Sequence, residues 1–247
     1  MIPKKIHYCW FGENPIPAKD KKIIETWRKF CPDYEIIEWN ESNYDIHKNK
    51  YMEHAYKEKK WGFVPDYARL DIIYNEGGFY LDTDVELLKS LDELRENEAY
   101  MGFEGAEKVE AVTGGLGFGA VKGNETIKAL RDCYENLSFY KSDGSLNLTP
   151  SPKYQTDFFL ERGLKINNKF QMIVGVKIYP TEYFDPKDYY SGKMYITEKT
   201  ISIHQYAMSW KSKKDKRNQR IKWLIGVKNY ERLYKLKHLG RKNDKKL

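Results

Sequence analysis

Val64-Pro65-Asp66-Tyr67-Ala68-Arg69-Leu70-Asp71-Ile72-Ile73-Tyr74-Asn75-Glu76-Gly77-Gly78-Phe79-Tyr80-Leu81-Asp82-Thr83-Asp84-Val85 changes character at its centre. The first half predicts a helix over Val64–Asn75 with Leu70 and Ile73 turned inward, and Pro65 falls in its first turn, where a missing N–H loses no bond. Glu76-Gly77-Gly78 is a stop. From there the spacing predicts a strand over Phe79–Leu88. Residues two apart in a strand share a face. Leu81, Thr83 and Val85 would pack one way, while Tyr80, Asp82 and Asp84 point the other.

Two carboxylates on one strand face repel unless a cation lies between or beside them. Aspartate is depleted in strands, so the pair calls for a reason. A hard divalent ion fits, because such ions bridge protein carboxylates to substrate phosphates. The plain alternative is a strand end running into a turn with solvated aspartates. A glycosidase pair fits less well, since those carboxyls flank the scissile bond from separate positions. On the preceding helix, Asp66 and Arg69 are i and i+3 and share a face. As a site, they would hold sugar hydroxyls and phosphate oxygens. The alternative is an ordinary surface ion pair, worth little.

Further out, Lys5–Phe11 is predicted as a first strand and Ala18–Phe30 as a helix with Ile23, Ile24, Trp27 and Phe30 inward. Cys31-Pro32-Asp33 ends that helix, and Tyr34–Trp39 is a second strand. The short crossover argues for a parallel pair. Val112–Val121 reads as a Gly-rich strand and Asn124–Leu137 as a helix capped by Asn124. Ser142–Pro152 reads as a polar loop, Tyr154–Glu161 as a helix, and Phe170–Val174 and Thr200–His204 as short strands. The alternation predicts an α/β sandwich. No repeat or linker divides residues 1–210, which are expected to form one domain.

Composition narrows the class. Of 247 residues, 40% are hydrophobic and 15% aromatic, too many rings for a disordered chain. Apolar runs are only a few residues long, where a membrane-crossing helix needs about 20. The opening ten residues hold no apolar leader stretch. Cys9, Cys31 and Cys133 are odd in number and form no zinc pattern, which predicts reduced thiols in a cytoplasmic protein. His7, His47, His54 and His238 have no metal spacing and are expected to be structural. Charge is lopsided: Lys211–Leu247 holds 15 basic and 3 acidic residues, net +12, leaving 28 basic and 33 acidic before it, net −5. Trp223, Val227, Tyr230 and Tyr234 lie on one helical stripe of that tail, with Gly226 a point of interruption. Residues 211–247 are expected to be a basic amphipathic extension that meets an anionic membrane surface. The alternative is a helix docked on the body with solvated lysines. A nucleic-acid partner is not expected: the tail has the cations and aromatics for one, but the acidic body and the carboxylate strand do not fit it.

The run Asp66–Asp84 resembles the signature of glycosyltransferase family 32, which carries a DXD sugar-binding motif, and it is similar to the catalytic domain of the large glucosylating toxins. The opening Ile2–Gly12 and the late His204-Gln205-Tyr206-Ala207-Met208-Ser209-Trp210 resemble the same family. The resemblance implies a GT-A fold, a Rossmann-like nucleotide-sugar sandwich with a central mixed sheet. It also implies retaining transfer of a hexosyl unit from a nucleotide-sugar, expected to be a UDP-sugar, to an oligosaccharide acceptor. By position, Asp84 would be the main Mn2+ or Mg2+ ligand, Asp82 would share the metal, and His204 would be a further ligand. Asp66 and Arg69 would hold the donor sugar, Tyr80 the ribose, and Trp10 the nucleobase by stacking. Ser209 and Trp210 would bind the diphosphate. Relatives often carry Gly-Pro where this chain has Ser151-Pro152; Gln155, Thr156 and Asp157 would line the acceptor cleft, and Thr113-Gly114-Gly115-Leu116-Gly117 would admit the acceptor. The expected setting is capsular or other surface polysaccharide synthesis, with a lipid-linked acceptor, at the inner face of the membrane. A toxin-like protein glucosyltransferase ranks lower, because no translocation or receptor-binding region is visible.

Overall fold

The alternation closes, in a computed structural model that describes residues 1–208 and 211–234, into a mixed sheet with helices on both faces. Strand β1 (Lys5–Cys9), helix α1 (Ala18–Phe30) and strand β2 (Glu35–Trp39) form the expected crossover, and β1 pairs parallel with β2 from Lys5↔Glu35 to Cys9↔Trp39. Helix α2 (Lys50–Lys57) precedes α3 (Pro65–Glu76), and α3 returns the chain to β3 (Gly78–Tyr80), which lies parallel to β1 on its other side. The return is tight. Gly78 has φ 106°, and a Cβ there would fall 2.8 Å from the Lys5 carbonyl oxygen, so only glycine fits.

Beyond β3 come β4 (Val85–Leu87), β5 (Ala99–Glu104), β6 (Ala111–Thr113), β7 (Phe118–Ala120), α4 (Glu125–Asp132), α5 (Ser151–Leu160), β8 (Gln171–Ile173), β9 (Val176–Tyr179), α6 (Thr181–Phe184), β10 (Ser202–His204) and α7 (Lys213–Ile225). The large sheet runs β2-β1-β3-β7-β5-β9-β8, with β6 on β5, while β4 and β10 form a separate antiparallel pair. Side chains alternate between two cores. Phe79, Tyr100 and Ile6 face Trp27 of α1 and Phe184 of α6; Tyr80, Met101 and Phe118 face Tyr51, Leu70, Ile127 and Phe159 of α2–α5. His7 is fully buried between them: Trp39 Nε1 donates to its Nδ1 at 3.0 Å, and Nε2 donates to the Gly77 carbonyl at 2.9 Å. Burial holds its pKa down at about 4, so it is a neutral structural ring.

Several expected boundaries move. Phe79–Leu88 is not one strand: residues 81–84 form a turn between β3 and β4 in which the Asp82 carbonyl accepts from Val85 N at 2.9 Å. Asp82 and Asp84 therefore sit on a turn, where aspartate is at home, and not on one pleated face. Val112–Val121 breaks at a 3-10 turn over Gly114–Leu116. Asn124 caps α4 as expected, accepting from Thr126 N and Ile127 N, but the helix stops at Asp132. Strands β5 and β9 are central and went unassigned in the sequence; β5 is buried over Ala99–Phe103 with no polar alternation to mark it.

Gly226, at φ 80°, ends α7, and residues 227–234 are helical again. The stripe expected through Trp223, Val227, Tyr230 and Tyr234 is thus split. Trp223 lies against residues 187–192 of the body. Among the described residues no helix is long and apolar enough to cross a membrane.

Candidate active site

Helix α3 runs back along β3, so its first turn stands at the carboxyl end of β1 and β3. That edge is where open α/β sheets bind ligands. It brings Asp66 beside Asp82. Arg69 lies between them: Nη2 donates to Asp66 Oδ1 at 2.8 Å, Nη1 is 3.6 Å from Asp82 Oδ2, and Nε donates to the Pro65 carbonyl. The Arg69 and Asp66 side chains are only 5% and 3% exposed and Asp82 is 28% exposed. The pair is therefore not the surface ion pair weighed as an alternative. Burial pushes the Asp66 carboxyl up to about 6, with Arg69 and the Ser151 side chain pulling it back down. Asp82 is raised by burial and by Asp84, against Arg69.

Two buried hydroxyls, of Tyr51 and Tyr134, lack a partner and lie within electrostatic reach of both Asp66 and Arg69. Unpaired buried donors of this kind await water or a polar ligand. The Gly-rich turn closes the other side. A Cβ on Gly115 would stand 3.4 Å from Asp82 Oδ2 and 3.7 Å from Arg69 Nη1. Gln155 and Thr156 hold this turn, accepting from Gly114 N at 2.8 Å and Val112 N at 2.9 Å. Asp157 instead turns outward and pairs with Lys153.

Asp84 is positioned from a different direction. Strand β10 pairs with β4 so that His204 lies opposite Val85. His204 Nε2 is 3.4 Å from Asp84 Oδ2. After His204 the chain crosses the turn as a strap: Gln205 N donates to the Asp84 carbonyl at 2.8 Å, and Ala207 N donates to Asp84 Oδ2 at 2.7 Å. Tyr206 and Met208 both take φ 52°, a conformation that costs about 1–3 kcal/mol per residue unless the surroundings enforce it. At Tyr206 the fully buried Asp185 holds this conformation by accepting from the hydroxyl at 2.9 Å. For Asp84, burial is outweighed by the His204 imidazolium and the Ala207 N–H, and its pKa falls to about 2. For His204, burial is outweighed by Asp84, and its pKa rises to about 9.

Asp82 and Asp84 are hard oxygen donors on one turn, and buried His204 Nδ1 has no partner. Among the described residues no three His, Cys, Asp or Glu side chains converge as a closed metal cage. This donor set suits Mg2+ or Mn2+, which take one or two protein carboxylates and complete their shell from phosphate and water. Asp82 and Asp84 would hold such an ion, with His204 beside them.

Tyr80 forms the floor: its ring is 1% exposed and the Arg69 guanidinium lies 5.3 Å from its centroid. Trp10 follows β1, half-buried, and donates from Nε1 to the Asn14 carbonyl. Beyond it an open cavity of about 450 Å³ is lined by Gly12, Asn14, Tyr56 and Trp61 among others. Ser209 and Trp210, expected to bind the diphosphate, lie outside the described residues. Gln205, Ala207, Asp185 and Lys187 were missed in the sequence. Gln205 and Ala207 act through backbone N–H groups, which no residue identity marks, although they lie in the His204–Trp210 segment that resembles the family.

Comparison with known proteins agrees with this geometry. Residues 17–101 match the model of the glycosyltransferase sugar-binding region containing DXD motif. "Subversion of eukaryotic traffic protein A" of Legionella pneumophila is 27% identical over 112 residues, covering 34% of this chain and 17% of that protein. Inositol phosphoceramide mannosyltransferase 3 of Schizosaccharomyces pombe is 31% identical over 108 residues, 40% of this chain and 29% of its own length. The chain thus spans less than a third of the curated relatives it matches. The solved PaToxG glycosyltransferase superposes with a TM-score of 0.51 at 23% identity, covering 65% of this chain and 69% of that one. Residues 17–101 are thus similar to the DXD-containing sugar-binding region of glycosyltransferases, and the mixed-sheet fold is of the GT-A kind.

Proposed function

We propose that the chain is a metal-dependent, retaining glycosyltransferase. It moves a hexosyl unit from a UDP-sugar to a lipid-linked oligosaccharide in surface polysaccharide synthesis. It works at the inner face of the membrane, its basic tail, residues 211–247, against anionic lipid. The observation that carries the reading is Arg69, buried and shared between Asp66 and Asp82 beside the Asp84–His204 turn. Burying three such charges is costly unless their geometry is used. Buried carboxylates, a guanidinium and unpaired tyrosine hydroxyls suit a ligand made of hydroxyls. The relatives named as inositol phosphoceramide mannosyltransferases support an acceptor carried on lipid.

In this reading Asp66 accepts from donor-sugar hydroxyls, and Arg69 donates to sugar and phosphate oxygens. Trp10 stacks on the nucleobase. Ser209 and Trp210, next along the strap in sequence, meet the diphosphate. A bound Mn2+ or Mg2+ would supply Lewis-acid stabilisation of the departing diphosphate. The acceptor hydroxyl attacks the anomeric carbon on the face the diphosphate leaves, so configuration is kept, and the leaving phosphate takes the hydroxyl proton.

The test is slow donor hydrolysis over a panel of UDP- and GDP-sugars with Mn2+. A UDP-sugar is expected to turn over. Asp84→Ala should abolish turnover and cost no more stability than loss of the Asp84–His204 pair, on the order of 2 kcal/mol in urea unfolding at pH 6, and Trp10→Ala should raise the donor Kd about tenfold by calorimetry. Turnover of no nucleotide-sugar by the wild type, or full activity in Asp84→Ala, rejects the reading.

A further inference from the structure

Helix α7 is joined to the Asp84 turn by two continuous paths. Along the first, the Trp223 ring lies 4.4 Å from the Lys187 ammonium, and Lys187 Nζ donates to Gln205 Oε1 at 3.1 Å and to the Gln205 carbonyl at 3.3 Å. Gln205 in turn donates from Nε2 to Glu86 at 2.7 Å and from its backbone N to the Asp84 carbonyl at 2.8 Å. Along the second, Trp223 Nε1 and Gln219 Nε2 both donate to the Tyr189 carbonyl at 2.9 Å. The Tyr189 ring packs on Tyr206 at 5.1 Å, and Tyr206 packs on His204 at 4.2 Å. The body is shaped to receive the helix: at Gly192, φ 72°, a Cβ would fall 2.5 Å from Trp223 Cγ. Lys187 is half-buried, and its close partners among the described residues are neutral oxygens and a ring, with no carboxylate within ion-pair distance. Its contacts fix position, while its charge reaches Asp84, Glu86 and Asp185 from beyond ion-pair distance.

We propose that α7 is a structural part of the donor site, with Trp223 and Lys187 as positioning residues that fix the strap 204–208 against Asp84. The proposal rests on the glycosyltransferase reading for its catalytic consequence. Without α7 the strap has to hold two left-handed residues with less support, and the Ala207 N–H and His204 lose their register on the Asp84 carboxylate. Sub-ångström misplacement of such groups is enough to weaken metal and diphosphate binding.

The test uses the full chain. Trp223→Ala and Lys187→Gln should each raise the Mn2+ and donor concentrations for half-maximal donor hydrolysis about tenfold, the scale of one lost hydrogen bond or cation–π contact. kcat should change less. Lys187→Arg keeps the cation and a donor and should recover most of the loss, while Trp223→Phe keeps a ring beneath Lys187 but lacks the Nε1 donor to Tyr189 and should recover only part. Amide hydrogen exchange at Gln205 and Ala207 should quicken in the two disrupted variants, with the β1–β3 amides unchanged. Lys187→Gln leaves the helix docked by Trp223 Nε1, so it tests the path even where Trp223→Ala does not fold. Wild-type half-saturation and unchanged strap exchange in Lys187→Gln would overturn the proposal. A wild type that turns over no nucleotide-sugar would instead reject the glycosyltransferase reading, and the exchange measurement would still decide the brace.

Discussion

Asp66 stands where a carboxylate is hard to ionise. It is nearly fully buried, and its pKa is pushed to about 6 in spite of Arg69. That folded value lies above the ordinary value of 3.8, so its ionisation opposes folding. Its contribution to stability is full below about pH 4 and lost as pH rises through about 6. In the proposed reading Asp66 meets sugar hydroxyls as the ionised carboxylate, the stronger acceptor. Donor kcat/KM is therefore expected to rise with pH to a plateau above about 6. Asp66→Asn should lower kcat/KM at least about a hundredfold, the scale of a buried charged contact, and erase that limb. A pH profile flat from 5 to 8 in the wild type, on the order of three pH units, would count against the assignment.

At the scale of elements, the short ladder of β4 with β10 does what a continuous strand through Asp84 would not. It leaves residues 81–84 free to turn and delivers His204 to the carboxylate. The pair is self-stabilising in the protein without metal. His204 has a folded pKa of about 9 against an ordinary 6.5, so its contribution is fully present below about pH 6.5 and fades as pH rises through 9. Asp84, held down at about 2, contributes above about pH 4 and loses that only as pH falls through 2. Both are in force between about pH 4 and 6.5. His204→Gln should cost on the order of 2 kcal/mol in urea unfolding at pH 6 and much less at pH 9.5. An equal loss at both pH values would mean that packing against Tyr206, not charge, is what the imidazole provides.

Across the whole molecule the dominant asymmetry is electrostatic: net −5 before residue 211 and net +12 from there on. Helix α7 spends Trp223 and Gln219 on the body and leaves Leu224 84% exposed among its lysines and arginines. Docking leaves Leu224 and the neighbouring basic residues exposed, so it does not compete with the membrane contact proposed above. The full chain is expected to float with vesicles rich in anionic lipid at low salt and to release them near 0.5 M salt, where the screening length is only about 4 Å. Neutral phosphatidylcholine vesicles should not carry it. Equal flotation with neutral vesicles would remove the electrostatic docking.

The residues 66–84 carried most of what was legible: a helix with Pro65 in its first turn, a glycine stop, and a carboxylate pair. All of these are set by local backbone preference and short-range sterics. The β1-α1-β2 crossover was legible for the same reason, its period and its breakers being local. Long-range placement was not. Strand β5 is buried over Ala99–Phe103 without alternation and β9 is only four residues long. While the family resemblance implies His204 as a ligand alongside Asp84, nothing in sequence names their direct contact or Ala207 as a donor to Asp84. The burial that lifts Asp66 and lowers Asp84 comes from elements far away along the chain. The sequence by itself determined which groups could do chemistry; only the tertiary structure decided which of them meet, because charge strength depends on desolvation and neighbours, and both are properties of the packed fold.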